Sequence, residues 1–437
     1  MTDRSRRVPS ARLARLAGFG RIAGGVAAGA LGEGARRLAR GERPQLPDLL
    51  LTPANARKVT AQLSRMRGAA MKLGQMLSLD AGDMLPPELT AILARLRDEA
   101  HVMPPRQLDG VLAGAWGPDW RRRFARFEGR PLAAASIGQV HRAVLPSGQV
   151  LAVKVQYPGV AASIDADIDN VATLLRLSGL LPPGLDTGPL LAEARRQLHE
   201  EADYAREAAQ MRRYAALLEG DPRFAVPRPV DDLLRPGVLP MDFQPGAPIE
   251  TLADAPEDQR NAALSALLDL VLRELFDFGL MQTDPNFANY RWQADSGRIV
   301  LLDFGATRPV APETAGAYRN LLRAGLSGDG GRLRGALVAA GFVSPAQDQR
   351  HGAVIGTMIA VLLAHVEASR GGLFDFADRG FVAELRELAA PILADRESWG
   401  LPPAETIFIQ RKISGTALLC VRLGARVPLL DLVARHG

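Results

Sequence analysis

Gln282-Thr283-Asp284-Pro285-Asn286-Phe287-Ala288-Asn289 and, a short way downstream, Leu301-Leu302-Asp303-Phe304-Gly305 carry more chemistry per residue than any other part of this sequence. The first is a polar loop with an aspartate five residues before an asparagine. The second is an aspartate leaving the apolar run Ile299-Val300-Leu301-Leu302, which reads as a buried strand. Such a loop and strand can present two oxygen ligands to Mg²⁺ plus a free carboxylate near a hydroxyl or a water. Asp-Phe-Gly also occurs at Asp277-Phe278-Gly279, but there it closes a helical pattern, and Gly279 reads as a C-terminal cap. Only Asp303 follows an apolar strand and lies downstream of the loop, so Asp303 is assigned to metal and Asp277 to structure.

Upstream, Val140–Leu145 and Val150–Gln156 are β-rich runs joined by Pro146-Ser147-Gly148-Gln149, a hairpin signal. Alternation places Lys154 on the face opposite Val153 and Val155. Before the hairpin stands the small-residue turn Ala133-Ala134-Ala135-Ser136. Small side chains let backbone N–H groups approach phosphates, and a strand lysine can neutralise them. The acidic stretch Glu200-Glu201-Ala202-Asp203-Tyr204-Ala205-Arg206-Glu207 falls within a helical pattern expected over about 188–219. On one helix Asp203 and Glu207 would lie about 40° apart, and a carboxylate there is a plausible ion-pair partner for Lys154. A solvated acidic face is the simpler account of the stretch taken alone.

Lysine is scarce: Lys58, Lys72, Lys154 and Lys412 are the only ones among 53 basic residues. Lysine is a compact point charge on a thin stem, and arginine is a wide planar fork. So arginine-rich a chain retains a lysine either by accident or where the fork cannot substitute. Lys72 lies in Met71-Lys72-Leu73-Gly74-Gln75-Met76-Leu77, a helical stretch that puts Lys72 and Gln75 on one face and a packing surface on another. Lys412 and the single cysteine, Cys420, fall in an amphipathic C-terminal helix and suggest no function on their own.

The 437 residues suffice for one large domain or two ordinary ones. Hydrophobic residues at 47% and charged residues at 23% describe a globular chain. One cysteine excludes an internal disulfide framework and a multi-cysteine zinc site, and the six histidines lack metal-binding spacing. Aromatics at 5% argue against base-stacking surfaces. No signal-peptide pattern opens the chain, and no apolar stretch is expected to reach the roughly 20 residues that cross a bilayer. No G-K-[ST] occurs, which excludes a P-loop, and Gly18-Phe19-Gly20-Arg21-Ile22-Ala23 fits a dinucleotide fingerprint but follows no strand.

The formal net charge of +5 is uneven. Residues 1–43 hold ten arginines against Asp3, Glu33 and Glu42, so the rest of the chain is slightly acidic. Leu13, Leu16, Phe19, Ile22 and Val26 recur there at helical spacing. A basic, weakly amphipathic segment can lie on anionic lipid, and a solvated tail is the plainer alternative; nucleic acid ranks last. Residues 1–50 are therefore set apart as a basic, flexible or membrane-associating segment. Residues 51–120 form a helical extension, 121–243 a β-rich lobe with inserted helices, and 244–437 a helical lobe, with everything after 311 expected to be helix. The fold class is α+β.

In this order, the motifs resemble the UbiB protein-kinase-like proteins, also called aarF-domain atypical kinases, and in particular the branch associated with coenzyme Q biosynthesis. The spacing D-x-x-x-x-N followed by D-F-G is that of protein kinases. Lys72-Leu73-Gly74-Gln75 matches the K-x-G-Q signature, Ala133–Ser136 the alanine-rich loop that replaces a glycine-rich one, and Glu201-Ala202-Asp203 the E-x-D motif. The resemblance runs from about Ala54 to the C-terminus. It implies a kinase-like two-lobe fold with an N-terminal helical extension. It further implies that Lys154 pairs with Glu207 and holds the phosphates of ATP, and that Asn289 and Asp303 hold Mg²⁺. Asp284 would stand where a kinase keeps its base, Ala133, Ala134, Ala135 and Ser136 would line the phosphates, and Met241, Asp242, Phe243 and Gln244 would meet the adenine. Lys72, Gln75, Glu201 and Asp203 would belong to an extension that hinders protein substrates. The expected activity is an unorthodox ATPase or autophosphorylation in support of ubiquinone assembly, peripheral on the inner membrane, in the cytoplasm and not secreted, with quinone-biosynthesis enzymes as partners. A nucleotide-binding pseudokinase scaffold is the alternative. Gln282-Thr283 stands where His-Arg precedes a kinase aspartate, and no A-P-E follows Gly305 before helix resumes. A peptide-docking platform is not expected.

Overall fold

Alternating residues in Val150–Gln156 set the first sheet, because a strand sends successive side chains to opposite faces. The computed structural model describes residues 102–135, 137–178, 188–395 and 404–437. Lys72, Gln75 and Ser136, together with the whole of the basic segment 1–50, lie outside the described residues. The chain divides into two units. Among the described residues, one comprises 102–212 and Arg228–Phe243, the other Arg213–Pro227 and Gln244–Gly437.

The first unit opens with helix α1 (Pro105–Trp116), followed by β1 (Arg126–Phe127), β2 (Ala133–Ala134), β3 (Gly138–Val144) and β4 (Val150–Gln156). Three helices come next, α2 (Val160–Ser178), α3 (Gly188–Ala202) and α4 (Tyr204–Leu217), the last of which runs on from Arg213 as part of the second unit. After β5 (Phe224–Ala225), which belongs to the second unit, the chain returns as β6 (Val238–Asp242). The antiparallel sheet runs β1-β3-β4-β6, with β2 also paired to β3. Val153 and Val155 point into a core shared with Leu112, Trp116 and Trp120 of α1 and the turn after it. The Trp116 indole N–H satisfies the Leu233 carbonyl at 2.8 Å. Each fully buried Val or Leu of this cluster contributes about 1.5–3 kcal/mol. Lys154, between the two valines, is turned to the other face. At Gly138 an added Cβ would stand 2.4 Å from the Val155 carbonyl oxygen, so only glycine lets β3 approach β4 there.

The second unit holds a sheet of order β5-β10-β9-β7, made with β7 (Ala247–Pro248), β9 (Tyr290–Gln293) and β10 (Arg298–Leu301). The helix α5 (Glu257–Phe276) buries Leu264, Leu267, Leu270, Val271 and Leu275, the spacing of a core-facing stripe. It stops at Asp277, and Gly279 turns the chain at φ 55° into β8 (Leu280–Gln282), which pairs with β11 (Thr307–Pro309). The first Asp-Phe-Gly is thus a helix terminus. Helices α6 (Pro312–Ser327), α7 (Gly330–Ala339), α8 (Pro345–Ala368), α9 (Gly380–Ala394), α10 (Ala404–Arg422) and α11 (Leu429–His436) complete the chain. Glu405 of α10 accepts hydrogen bonds from the Ala311 N–H at 2.6 Å and the Thr314 hydroxyl at 2.7 Å, placing an anion at the start of α6.

Three expectations are corrected. The acidic stretch is not one helix: α3 ends at Ala202 and α4 begins at Tyr204. Asp203 stands between them and accepts from the Arg206 N–H at 2.9 Å, because a short carboxylate competes for the backbone donors of a helix start. The region after 311 is not all helix, since β12 (Phe374–Asp375) pairs with β13 (Arg426–Val427). Pairs this short carry no alternation that a sequence pattern can show. Finally, α8 is long and apolar enough, by length and composition, to cross a membrane, and only 11% of its apolar window is buried. Its polar first turns and its glycines interrupt the run of apolar residues, and the helix is kinked at His351, where φ is −119° and ψ 20°.

Candidate functional site

In the first unit, β4 and α4 bring together two residues far apart in sequence. The Lys154 ammonium donates to both oxygens of the Glu207 carboxylate, at 2.8 and 2.9 Å. The Lys154 side chain is 9% exposed and that of Glu207 1%. Lys154 also lies over the Tyr204 ring, 5.2 Å from its centroid. The break at Asp203 matters here, because it starts a new helix whose first turns carry Tyr204 and Glu207 to the lysine. Gln156, two residues beyond Lys154, donates to the Ala202 carbonyl at 3.0 Å and ties the E-x-D segment to the same strand. Glu201 is buried.

The alanine-rich turn borders this strand pair. Ala133 and Ala134 form β2 opposite Val140 and Gln139, and both are exposed. The Ala135 N–H donates to the Gly138 carbonyl at 2.9 Å, which closes the turn on itself. Met241 and Asp242 end β6; Asp242 accepts from the Gln149 amide at 2.7 Å, and the Phe243 N–H donates to the Val150 carbonyl at 3.0 Å. Gln244 begins the long segment of the second unit.

In the second unit, Asp284, Asn289 and Asp303 come from two loops joined by hydrogen bonds. Asn286 caps the short turn Phe287–Asn289 by accepting from the Ala288 N–H. The Asn289 amide nitrogen faces Asp284, 3.3 Å from its carbonyl and 3.4 Å from its Oδ2. The Leu302 N–H donates to the Asn289 carbonyl at 2.8 Å, and the Thr283 hydroxyl donates to the Ala306 carbonyl at 2.7 Å. Asp303 has φ 59°, the only positive φ of a non-glycine among the described residues. Such a conformation costs of order 1–3 kcal/mol and persists where its surroundings impose it. Asp303 Oδ1 accepts from the Gly305 N–H at 3.1 Å, and Phe304 is buried against Tyr214, ring centroids 5.0 Å apart. The two residues expected to hold the metal offer a carboxylate oxygen from Asp303 and an amide oxygen from Asn289, hard donors that suit Mg²⁺ rather than a soft metal.

Sequence reasoning passed over two neighbours of this loop. Arg411 of α10 places Nη2 3.6 Å from Asp284 Oδ1, with 4% of its side chain exposed. Lys412, next along α10, is buried beneath Gln282 and Tyr290. The scarcity of lysine is the one signal that could have found the second; nothing singles out one arginine among so many.

The family model of the ABC1 atypical kinase-like domain matches residues 95–336, more than half of the chain. This chain belongs to the ABC1 atypical kinase-like family. The mitochondrial atypical kinase COQ8 of Saccharomyces cerevisiae is 38% identical over 429 residues, covering 98% of this chain and 85% of that protein. The mitochondrial atypical kinase COQ8B of Rattus norvegicus is 39% identical over 440 residues, covering 99% and 82%. Among solved structures, the Rv3197–erythromycin complex from Mycobacterium tuberculosis superposes with a TM-score of 0.60 at 27% identity, covering 87% of this chain and 94% of that one. The UbiB-type resemblance and its coenzyme Q branch are borne out by these relatives, and the fold is kinase-like.

Proposed function

We propose that this chain is an ATP- and Mg²⁺-dependent atypical kinase or ATPase that supports ubiquinone biosynthesis at a membrane surface. The observation that carries the reading is the buried Lys154–Glu207 pair. Burying two charges costs several kcal/mol each before their attraction repays it, so the pair is a poor device for stability and a good one for presenting a cation to phosphates. In this reading Lys154 neutralises the phosphates of ATP while Glu207 holds its ammonium in place. Asn289 and Asp303 would hold Mg²⁺, which supplies charge neutralisation on the phosphate oxygens. Asp284 accepts the proton of the attacking hydroxyl or water, and the alanine-rich turn and the backbone at Met241–Gln244 receive the rest of the nucleotide. Lys72, Gln75, Glu201 and Asp203 restrict the acceptor, so that transfer to other proteins is disfavoured.

Two features support the membrane surface: the arginine-rich segment 1–43 and the sparsely buried apolar helix α8. The relatives' mitochondrial kinase names support the quinone pathway through the branch they represent. The test is Mg²⁺-dependent nucleotide binding and phosphate release by wild type, Lys154→Met and Asp303→Asn proteins, with and without anionic liposomes. Wild type is expected to bind and turn over, and each variant, altered in a different unit, to lose Mg²⁺-dependent binding. Unchanged hydrolysis by Asp303→Asn refutes the site. A second reading, a nucleotide-bound scaffold without turnover, is favoured by the exposed alanines of β2, which stand where a kinase has glycines. Binding with no phosphate release under either lipid condition selects it.

A further inference from the structure

Helix α10 meets the loop 282–290 at several positions between Arg411 and Arg422. Arg411 faces Asp284 at 3.6 Å. At Gly415 an added Cβ would stand 2.3 Å from the Pro285 Cβ, so the proline of the loop rests directly on the helix backbone. The Arg422 guanidinium lies 5.8 Å from the Phe287 ring. These three positions fall on one helical face.

Lys412, beside them, is 2% exposed. Its ammonium donates to the Tyr290 hydroxyl at 3.0 Å and to Gln282 Oε1 at 3.1 Å, and is ion-paired with Glu274 Oε2 at 3.5 Å. Glu274 is completely buried, and its other oxygen accepts from the Tyr214 hydroxyl at 2.8 Å. Burial works against the charged form of Lys412, but the Glu274 carboxylate and then Tyr290 outweigh it and hold its pKa above the ordinary lysine value. A planar guanidinium does not fit three acceptors arranged around one point, which accounts for a lysine here in a chain that otherwise uses arginine.

The consequence falls on Gln282. A side-chain amide has an accepting end and a donating end. An ammonium only donates, so it selects the carbonyl end of Gln282 and turns the NH₂ end away. That NH₂ group donates to the Asp284 carbonyl at 3.0 Å and to the Asp303 carbonyl at 3.2 Å. One amide thereby ties the main chain of the candidate base to that of the candidate metal ligand, residues that belong to different loops. In the place where the sequence departs from ordinary kinases, Gln282 is the residue that joins the two loops.

We propose that Lys412 is a positioning residue: by orienting the Gln282 amide it clamps the Asp284 loop and the Asp303 loop at a set distance from each other. The clamp deepens the ATP and Mg²⁺ reading above and rests on it for its effect on turnover. Removing Lys412 alone would strand Glu274, so the informative variants preserve charge balance or volume. Lys412→Met/Glu274→Gln removes both charges. Gln282→Glu keeps the shape and the Lys412 contact but presents no N–H to the two carbonyls. Lys412→Arg keeps the charge without the geometry.

The experiment is hydrogen exchange by mass spectrometry, alongside kcat and KM for ATP and the melting temperature. In all three variants, exchange in the segments 283–289 and 303–307 is expected to rise together by about tenfold, the scale of the lost amide hydrogen bonds. Exchange in α5 and β9 stays as in wild type. kcat falls by a similar factor while KM for ATP changes little, and Lys412→Arg does not rescue it. A purely structural lysine would instead loosen α10 and α5 as well, lower the melting temperature in proportion and be rescued by arginine; that pattern overturns the proposal. Wild-type exchange in both loops of the Gln282→Glu protein overturns it as well. If wild type shows no ATP turnover, the functional reading fails, and the exchange result still decides the clamp.

Discussion

Replacing Glu207 by glutamine tests the pair on which the functional reading turns. The substitution keeps the volume and one accepting oxygen but removes the negative charge that Lys154 touches at 2.8 and 2.9 Å. Lys154 is 7% exposed and Glu207 1%, so water does not replace what is lost. Breaking one side of a buried pair costs about 3–5 kcal/mol, because the remaining charge stays desolvated. For a protein of this size that lowers the melting temperature by on the order of 10 °C. Lys154→Met is expected to cost about the same by leaving the Glu207 carboxylate behind. The double variant Lys154→Met/Glu207→Leu removes both charges and should recover most of the loss, to within about 1–2 kcal/mol of wild type. Nucleotide binding responds differently: it is expected to be lost in both Lys154 variants and weakened in Glu207→Gln, whatever the stability. Thermal melts and equilibrium ATP binding on wild type and the three variants separate the two effects. A Glu207→Gln protein that melts where wild type does refutes the energetic argument. A double variant that regains stability and binds ATP like wild type refutes the functional one.

Asp284→Asn should lower kcat by about 10²–10⁴, the usual range for a lost general base, with nucleotide affinity retained; a measured kcat near wild type would move the proton acceptor elsewhere. Cys420 is fully buried, and burial pushes its thiol up to about 12. The folded protein should therefore resist a thiol reagent at pH 8 and react only when denatured, and rapid labelling of native protein would contradict the packing of α10.

Local patterns made several parts of this protein legible. The hairpin around Gly148, the strand that carries Lys154, and the choice between two Asp-Phe-Gly tripeptides all rest on neighbours within a few residues, which is the range over which alternation and capping act. The break at Asp203 was not legible, because an aspartate inside an acidic helical pattern and an aspartate that starts a new helix have the same local sequence. The apolar character of α8 was hidden by its polar N-terminal turns, and the β12–β13 pair by its length. Arg411 and Lys412 were invisible as functional residues for another reason. Lys412 and Gln282 are 130 positions apart, and no periodicity links residues at that distance.

By itself, the order of residues determined which chemical groups exist: one strand lysine, an aspartate and asparagine in a polar loop, an aspartate leaving an apolar strand, and the family to which this combination belongs. Tertiary structure decided which groups touch. It chose Glu207 rather than Asp203 for Lys154, bent Asp303 to φ 59°, and set a buried ammonium under Gln282. The reason is one of range. Secondary structure follows from interactions within a turn or a strand pair, whereas the orientation of a buried amide or carboxylate depends on whichever distant side chain is packed against it, where no water is present to substitute.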